Sequence, residues 1–269
     1  MTVDEALALA RQLGVERGDA QTLLSHLTGQ DRAWLITHGD ARVDDAEAAL
    51  NRLAAGEPLA HLTGWQPFHG LMLQVTPATL IPRPDTETLV DWALELLAML
   101  PGQPGVVDLG TGSGAIALAI KAACPRAQVT AVDVSADALA VARANGERLG
   151  LAVDWRHGNW FEPLAGRRFD LVVSNPPYIA GDDPHLPALR HEPLTALTPG
   201  GDGLGDLQTL IDAAPQHIND GGWLLMEHGW DQAEAIAARL AARGFAQAAL
   251  RRDLAGRPRA SGGRWRATS

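Results

Sequence analysis

A chain of 269 residues, 46% hydrophobic and 20% charged, has the composition of a soluble globular protein and the length of one large domain or two unequal ones. No apolar run approaches the ~18 residues that a membrane span needs, and the acidic, amphipathic start MTVDEALALARQLG is not a signal peptide, so a cytoplasmic protein without a membrane partner is expected. A net charge of −10 argues against generic, stable nucleic-acid binding, which Lys and Arg drive by neutralising phosphates, and Cys124 as the single cysteine excludes an internal disulfide or a thiolate metal cluster.

The chain begins with helical spacing. Leu7, Leu9, Leu13, Leu23, Leu24, Leu27, Trp34, Leu35, Leu50 and Leu53 predict a small bundle of four or five short helices over residues 1–64, with Asp19, Asp31 and Asp44 placed as N-caps. Residues 65–82 read as a hairpin and linker, because the stretch from Trp65 to Val75 alternates. IPRPDTE (81–87) is a stiff loop, and Asp85 or Thr86 is placed to cap a helix starting near Glu87. The third segment, 83–269, then alternates strand and helix. GVVDLG, AQVTAVDV, LAVDWRHG, FDLVVSN and GGWLLMEHG are the strands; GAIALAIKAA, SADALAVARANGERLG, residues 206–218 and DQAEAIAARLAARG are the helices. Two more strands close the chain. This pattern implies parallel βαβ units and an α/β, doubly wound, Rossmann-like sheet. Cys124, at the end of the first of these helices, is expected to be a buried structural thiol. Arg251, Arg252, Arg257, Arg259, Arg264 and Arg266 crowd the C-terminal strands, either as a solvated strand face or as a docking surface for a macromolecular partner.

Ligands of such sheets bind beyond the C-terminal ends of the strands, at the point where strand order reverses. The first strand of the alternating region ends in DLGTGSGA, where Gly110, Gly112 and Gly114 leave bare backbone for a ligand at a helix N-terminus. The next strand ends at Asp133, whose carboxylate can accept both hydrogen bonds of a ribose diol. These two features alone are ambiguous: Gly110, Gly112 and Ala115 also satisfy a dinucleotide fingerprint. The GTGSG form preceded by Asp108 suits S-adenosylmethionine better, since that ligand carries no pyrophosphate.

The fourth strand ends in VVSNPPYIA (172–180). Pro176 and Pro177 lack backbone N–H groups, and each disfavours the α region for the residue before it. The chain therefore stays extended where an ordinary βα unit would turn. Asn175 offers a side-chain carbonyl and Pro176 a backbone carbonyl, and a planar NH2 group can donate to both at once. Tyr178 can stack on or wall in the group that carries the nitrogen. Such a clamp preorganises a poor nucleophile and needs no acid or base residue, since the nitrogen becomes far more acidic once methylated.

DLGTGSG with NPPY resembles the signature of class I S-adenosylmethionine-dependent methyltransferases that act on planar NH2 groups. The whole chain resembles the HemK/PrmC family of peptide chain release factor glutamine methyltransferases, through GEPLAHLTG (56–64), TPATLIPRPDTETLV (76–90), DLGTGSGAIALAI (108–120), SNPPYIAGDDPHL with EPLTAL (174–197), and LLMEHGW (224–230). The resemblance implies a class I methyltransferase sheet, mostly parallel with one antiparallel strand near the C-terminus, joined to a helical partner-docking domain. It implies a monomer that uses S-adenosylmethionine, releases S-adenosylhomocysteine, and methylates the glutamine of the Gly-Gly-Gln loop of class 1 release factors. Gly110, Thr111, Gly112, Ser113 and Gly114 would wrap the methionine part of the cofactor. Asp133 would bind the ribose, and Asn159 and Trp160 would border the adenine. Asn175, Pro176, Pro177 and Tyr178 would hold the substrate amide, with Asn175, Pro176 and Tyr178 as the catalytic set. Phe68 and Arg83 would line the pocket, unless they serve as packing and as a surface ion pair. One departure is His191, where an aromatic residue is expected.

The chief rival is methylation of adenine N6 in nucleic acid, which needs a base-flipping pocket and a basic groove. The acidic charge and the lack of a basic target-recognition domain argue against it. A non-catalytic scaffold is disfavoured because both motifs are intact, and redox chemistry because Lys121 is the only lysine and lies mid-helix. No metal site is expected: Asp182, Asp183, His185, His191 and Glu192 read as a polar loop facing the substrate.

Overall fold

In a computed structural model, which describes residues 1–267, the chain forms two compact units. The first is Met1–Trp65 and the second begins at Gln66. Among the described residues no helix is long and apolar enough to cross a membrane.

The first unit contains α1 (Val3–Gln12), α2 (Arg17–Thr28), α3 (Arg32–Thr37), α4 (Ala46–Ala54) and α5 (Leu59–Thr63). Its core is Val3, Ala6, Leu23, Leu24, Leu35 and Leu50. Two starts have side-chain caps: the Thr2 hydroxyl accepts from Glu5 N in a capping box, and Asp31 accepts from Trp34 N at 2.8 Å. Asp19 and Asp44, expected as caps, are not. The second helix begins two residues before Asp19, which therefore sits in its first turn, where a negative charge favours the helix dipole. The residue preceding α4 is Asp45, left-handed at φ 57° and without a side-chain cap bond.

After the helices, β1 (Trp65–Phe68) and β2 (Leu71–Gln74) make a two-stranded hairpin that turns through His69 and Gly70, both at positive φ. A 3-10 turn at Pro84–Thr86 leads into α6 (Glu87–Ala98) without a side-chain cap, which corrects the role expected of Asp85 and Thr86. The remaining elements are β3 (Gly105–Leu109), α7 (Ala115–Ala123), β4 (Gln128–Asp133), α8 (Ala136–Leu149), β5 (Asp154–His157), β6 (Phe169–Ser174), α9 (Gly205–Ala213), β7 (Ile218–Glu227), α10 (Ala233–Arg243), β8 (Ala246–Arg252) and β9 (Pro258–Arg264). Seven strands pair in the order β5-β4-β3-β6-β7-β9-β8, and β9 alone runs antiparallel to its neighbours. This is the doubly wound sheet expected.

Side chains alternate across it. Val106, Leu171, Val173 and Leu225 join the cluster that includes α6 and α7, while Val107, Val172, Leu224 and Met226 join the cluster that includes α9 and α10. Both faces are covered, so the strands read as apolar runs rather than as alternating ones. Phe68 is packed within the first cluster. Cys124, the C-cap of α7, is free and only half-buried. Of the C-terminal arginines, Arg251 and Arg252 lie on β8, a strand exposed along its length, where Arg251 pairs with Glu95 at 2.8 Å and Arg252 donates to the Gly256 carbonyl, and Arg264 donates to that of Gly221.

Asn145 on α8 is fully buried and ties the hairpin to the loop after β3. Its Oδ1 accepts from Gln74 N at 2.7 Å, and its Nδ2 donates to the carbonyls of Gln74 and Ser113 at 2.9 and 3.0 Å. Asn145→Ala leaves three backbone groups without that partner, so urea unfolding of the second unit is expected to show a loss of about 2–4 kcal/mol with an unchanged m-value.

Candidate active site

Strand order reverses between β3 and β6, because β4 and β5 continue on one side of β3 and β6 starts the other. Leu109 and Ser174, the last residues of these strands, are register partners. The buried Ser174 hydroxyl donates to the Leu109 carbonyl at 2.7 Å. The next loops, 110–114 and 175–180, therefore leave the sheet side by side.

Gly110 and Gly112 line a cavity with Leu80, Asp133, Asn159, Trp160, Asn175 and Asp206 among its walls. Gly112 has φ 57° and open space where a Cβ would stand. Gly110 has φ 72°, and a Cβ there would come within 3.2 Å of the Trp160 ring. Trp160 is itself held at φ 46°, and burial raises the Asp206 pKa, opposed by the Trp160 side chain. The Asp133 carboxylate accepts from Gly112 N at 2.7 Å and from Ser135 N at 2.9 Å. Burial pushes its pKa up, opposed by these backbone bonds. Each oxygen keeps a further lone pair for a ligand. The lining carries the carboxylates of Asp133 and Asp206 and no lysine or arginine among the described residues. A pyrophosphate would meet no cation there, whereas a nucleoside with a sulfonium and an ammonium fits the charge. The residues present thus fit S-adenosylmethionine better than a dinucleotide.

Thr111, Ser113 and Gly114, expected to touch the cofactor, do not line this cavity. The Thr111 hydroxyl donates to Asp108 at 2.6 Å, the Ser113 carbonyl receives Asn145, and Gly114 precedes α7 where a Cβ would crowd Leu118, Ala142 and Trp155. They shape the loop from behind.

A second cavity adjoins the first and shares Asn175 with it. Leu80, Arg83, Asp85, Pro176, Tyr178, Leu197 and Glu227 are among its walls. Asn175 Nδ2 donates to the Thr86 hydroxyl at 3.3 Å, which turns Oδ1 the other way. The Tyr178 hydroxyl donates to Glu227 Oε1 at 3.0 Å. Burial, then the negative charge of Glu227, pushes the Tyr178 pKa up, and burial likewise raises that of Glu227. The Thr86 hydroxyl is the strongest group opposing the shift at Glu227. Arg259 pairs with Asp85 at 3.0 Å and with Asp253 at 3.1 Å, and its positive charge opposes the rise of the Tyr178 pKa. One of the C-terminal arginines thus stands behind this cavity rather than on a docking face.

Pro177, expected beside the substrate, lines the first cavity. Arg83 lines the second while pairing with Glu192, whose other oxygen accepts from Ile81 N at 2.8 Å. Phe68 lines neither, being core. Of the loop acids and histidines, Asp183 pairs with the exposed His185 and Glu192 with Arg83, while His191 Nε2 is buried without a hydrogen-bond partner. Thr86, Glu227, Arg259 and Asp206 had no predicted role at the site. The available signal was Glu227, a carboxylate directly after the apolar run LLM of a buried strand.

Residues 87–204 match the family described as Methyltransferase small domain, and residues 5–64 match the PrmC N-terminal domain. A release factor glutamine methyltransferase of Bordetella pertussis is 50% identical over 258 residues, which cover 93% of this chain and 95% of that one. One from Xylella fastidiosa is 49% identical over 267 residues, covering 96% of this chain and 97% of that one. A methyltransferase structure from Pyrococcus furiosus, 20% identical, superposes with a TM-score of 0.56 over 82% of this chain and 100% of that one, a likeness of fold alone.

Asp108 is fully buried beneath the glycine loop. Its Oδ2 accepts from Thr111 and from Ala117 N, its Oδ1 has no hydrogen-bond partner, and burial pushes its pKa up to about 7. The folded state therefore holds this proton above the pH at which an unfolded Asp releases it, so its contribution to stability is complete in acid and is lost as pH rises through about 7. From 3.8 to about 7, at about 1.4 kcal/mol per pH unit, the difference is about 4 kcal/mol. Urea titrations from pH 5 to 8 are expected to show wild type losing stability relative to Asp108→Asn up to pH ~7, with a constant difference above it.

Proposed function

The chain belongs to the release factor glutamine methyltransferase family, and from that premise we propose that it methylates the side-chain amide nitrogen of the Gly-Gly-Gln glutamine in class 1 peptide chain release factors. S-adenosylmethionine, when bound, supplies an electrophilic methyl group on a sulfonium and leaves as S-adenosylhomocysteine. Asp133 takes the ribose diol, the bare backbone of Gly110 and Gly112 accommodates the methionine part, and Asn159 and Trp160 border the adenine.

The observation that carries the reading is the orientation of Asn175. Its NH2 group is tied to Thr86, so Oδ1 is left as an acceptor where the two cavities meet. Pro176 contributes a carbonyl and no competing N–H. The glutamine NH2 group donates one hydrogen bond to each, which directs the nitrogen lone pair toward the first cavity. Amide nitrogen is a weak nucleophile because its lone pair is delocalised into the carbonyl. Holding both N–H groups favours the pyramidal, localised form that develops in the transition state, and this is differential binding of the kind that raises kcat. Tyr178, held by its hydrogen bond to Glu227, walls the side on which the amide plane lies. The nitrogen forms its new bond before it surrenders a proton, so the clamp works with acceptors alone. Residues 1–64 serve as the partner-docking domain, 65–82 as the linker hairpin and 83–269 as the catalytic domain.

The test is incubation of the protein with methyl-labelled S-adenosylmethionine and unmodified release factor, followed by peptide mapping. One methyl group on the Gly-Gly-Gln glutamine is expected, and Asn175→Ala is expected to lower kcat by about 100-fold or more, since an acceptor used in the transition state is lost. Methyl transfer to adenine in DNA or RNA instead of to the release factor would overturn the reading. Asp133→Ala, measured by calorimetry, is expected to weaken S-adenosylmethionine binding by roughly 10- to 100-fold through loss of two charge-assisted hydrogen bonds.

A further inference from the structure

The loop before α6 holds a second polar residue between prolines. Arg83 stands between Pro82 and Pro84, its backbone extended at φ −101° and ψ 145°, the conformation that a following proline favours. Neighbouring groups tie the loop down: Gln66 Nε2 donates to the Pro82 carbonyl at 3.2 Å, and Thr86 N to the Arg83 carbonyl at 3.1 Å. The Arg83 guanidinium pairs with Glu192, whose second oxygen accepts from Ile81 N at 2.8 Å. We propose that Arg83 is a substrate-binding residue that donates to the main-chain carbonyls of the Gly-Gly segment before the modified glutamine, and that Glu192 is its positioning residue. This rests on the reading of the substrate given above.

An ordinary surface ion pair leaves both partners in water. Here the Glu192 side chain is 2% exposed and that of Arg83 38%, so a buried carboxylate fixes a guanidinium that stays partly open. A buried carboxylate is costly unless it is partnered, and Glu192 places both of its oxygens on one stiff loop, at residues 81 and 83. A guanidinium carries five N–H donors in a rigid planar fork. Among the described residues, Glu192 is the hydrogen-bond partner of Arg83, and no other protein acceptor takes the remaining donors. Arg83 lines the second cavity, which shares Asn175 with the first. The charges there select the acceptor. Glu192 offsets the charge of Arg83, and Asp85 and Glu227 are further walls of that cavity, so an anion gains little and a neutral carbonyl fits. Glycine leaves its peptide carbonyls unshielded by a side chain, so a Gly-Gly segment can bring them against a guanidinium held in one plane. The glutamine side-chain carbonyl is the wrong acceptor, because a donor on that oxygen strengthens the amide resonance and withdraws the lone pair that the reaction needs. A main-chain contact is made equally in the ground state and the transition state, and so acts on KM.

The experiment measures kcat and KM for methylation of unmodified release factor, with the affinity for S-adenosylmethionine and the thermal midpoint followed in parallel. Arg83→Met keeps an unbranched apolar stem and removes the donors. It is expected to raise KM by about 10-fold or more, with kcat within about threefold and cofactor affinity within about twofold of wild type. Because Arg83→Met strands the buried charge of Glu192, Arg83→Met is also combined with Glu192→Gln. The pair is expected to show the same raised KM with a thermal midpoint nearer that of wild type. Glu192→Gln alone keeps an oxygen for Ile81 N but loosens the guanidinium, and is expected to raise KM by about threefold to 10-fold. The ratio of variant to wild-type KM is expected to stay constant from about 0.05 to about 0.3 M salt, since the acceptor is neutral. A KM of the combined variant within about twofold of wild type overturns the proposal. So does a change of kcat beyond about threefold in either direction, which places the contact on the reacting amide. A KM effect that vanishes at the higher salt overturns it in favour of an ion pair with an acidic residue of the partner, and an equal loss of cofactor affinity in favour of a loop that only shapes the cavities. Failure of the wild-type protein to methylate release factor would instead overturn the reading on which the proposal stands, and the two failures are thereby distinguished.

Discussion

The hydrogen bond from the Ser174 hydroxyl to the Leu109 carbonyl lies at the one place in the sheet where neighbouring parallel strands send their loops in different directions. It locks the last residue of β6 against the last residue of β3, out of water and in register. The loops beyond these two strands differ in kind. After β3, Gly110 and Gly112 turn bare backbone toward the first cavity. After β6 two prolines keep it straight, so that one asparagine and one tyrosine project from a backbone with little freedom. Preorganisation of two reacting groups requires that their supports do not slip relative to one another. Here the supports are adjacent residues of one ladder, and Asn175 borders both cavities because it is the first residue beyond that bond.

Electrostatics divides the work. The first cavity has carboxylates and no cation among its walls, which suits a positively charged nucleoside. The second is backed by the buried Glu227, which accepts from the Tyr178 hydroxyl, and by Arg259, which pairs with Asp85 and Asp253. A buried carboxylate is costly unless it is partnered. Glu227 accepts from the Tyr178 hydroxyl of the NPPY loop on one oxygen, while its other oxygen is buried without a partner, so only part of the cost is offset, by a group whose orientation matters to the site. Arg259 is the corresponding cation, and its two aspartates hold the β8–β9 turn and the turn before α6.

The doubly wound sheet was legible in the sequence because its strands are apolar runs between helical patterns, and because both faces of β3, β6 and β7 are buried. Gly110, Gly112, Asp133 and the NPPY loop were legible for a local reason: each states its backbone demand in consecutive residues. Thr86, Glu227 and Arg259 were not, since their significance lies in pairings between residues far apart in the chain, Thr86 with Asn175, Glu227 with Tyr178 and Arg259 with Asp85, and nothing in DTE, LLME or RPR reveals those partners. Thr86 resembled a helix cap and Arg259 a member of a basic cluster; the first instead receives the Asn175 amide and the second pairs with Asp85, partners that only the fold brings near. Asp19 and Asp44 failed as caps because helix ends shift by one or two residues under packing that spacing does not record. Phe68 looked like a pocket residue from its position between segments, yet its ring fills the core.

The central claim is that Asn175 Oδ1 and the Pro176 carbonyl together receive the NH2 group of a glutamine side chain. A crystal structure of the protein with S-adenosylhomocysteine and a Gly-Gly-Gln peptide of a release factor tests it most directly. The account predicts the glutamine nitrogen about 2.7–3.2 Å from both oxygens, with Asn175 Nδ2 still on Thr86. A glutamine bound through its carbonyl at this position, or a peptide seated away from the second cavity, would contradict it.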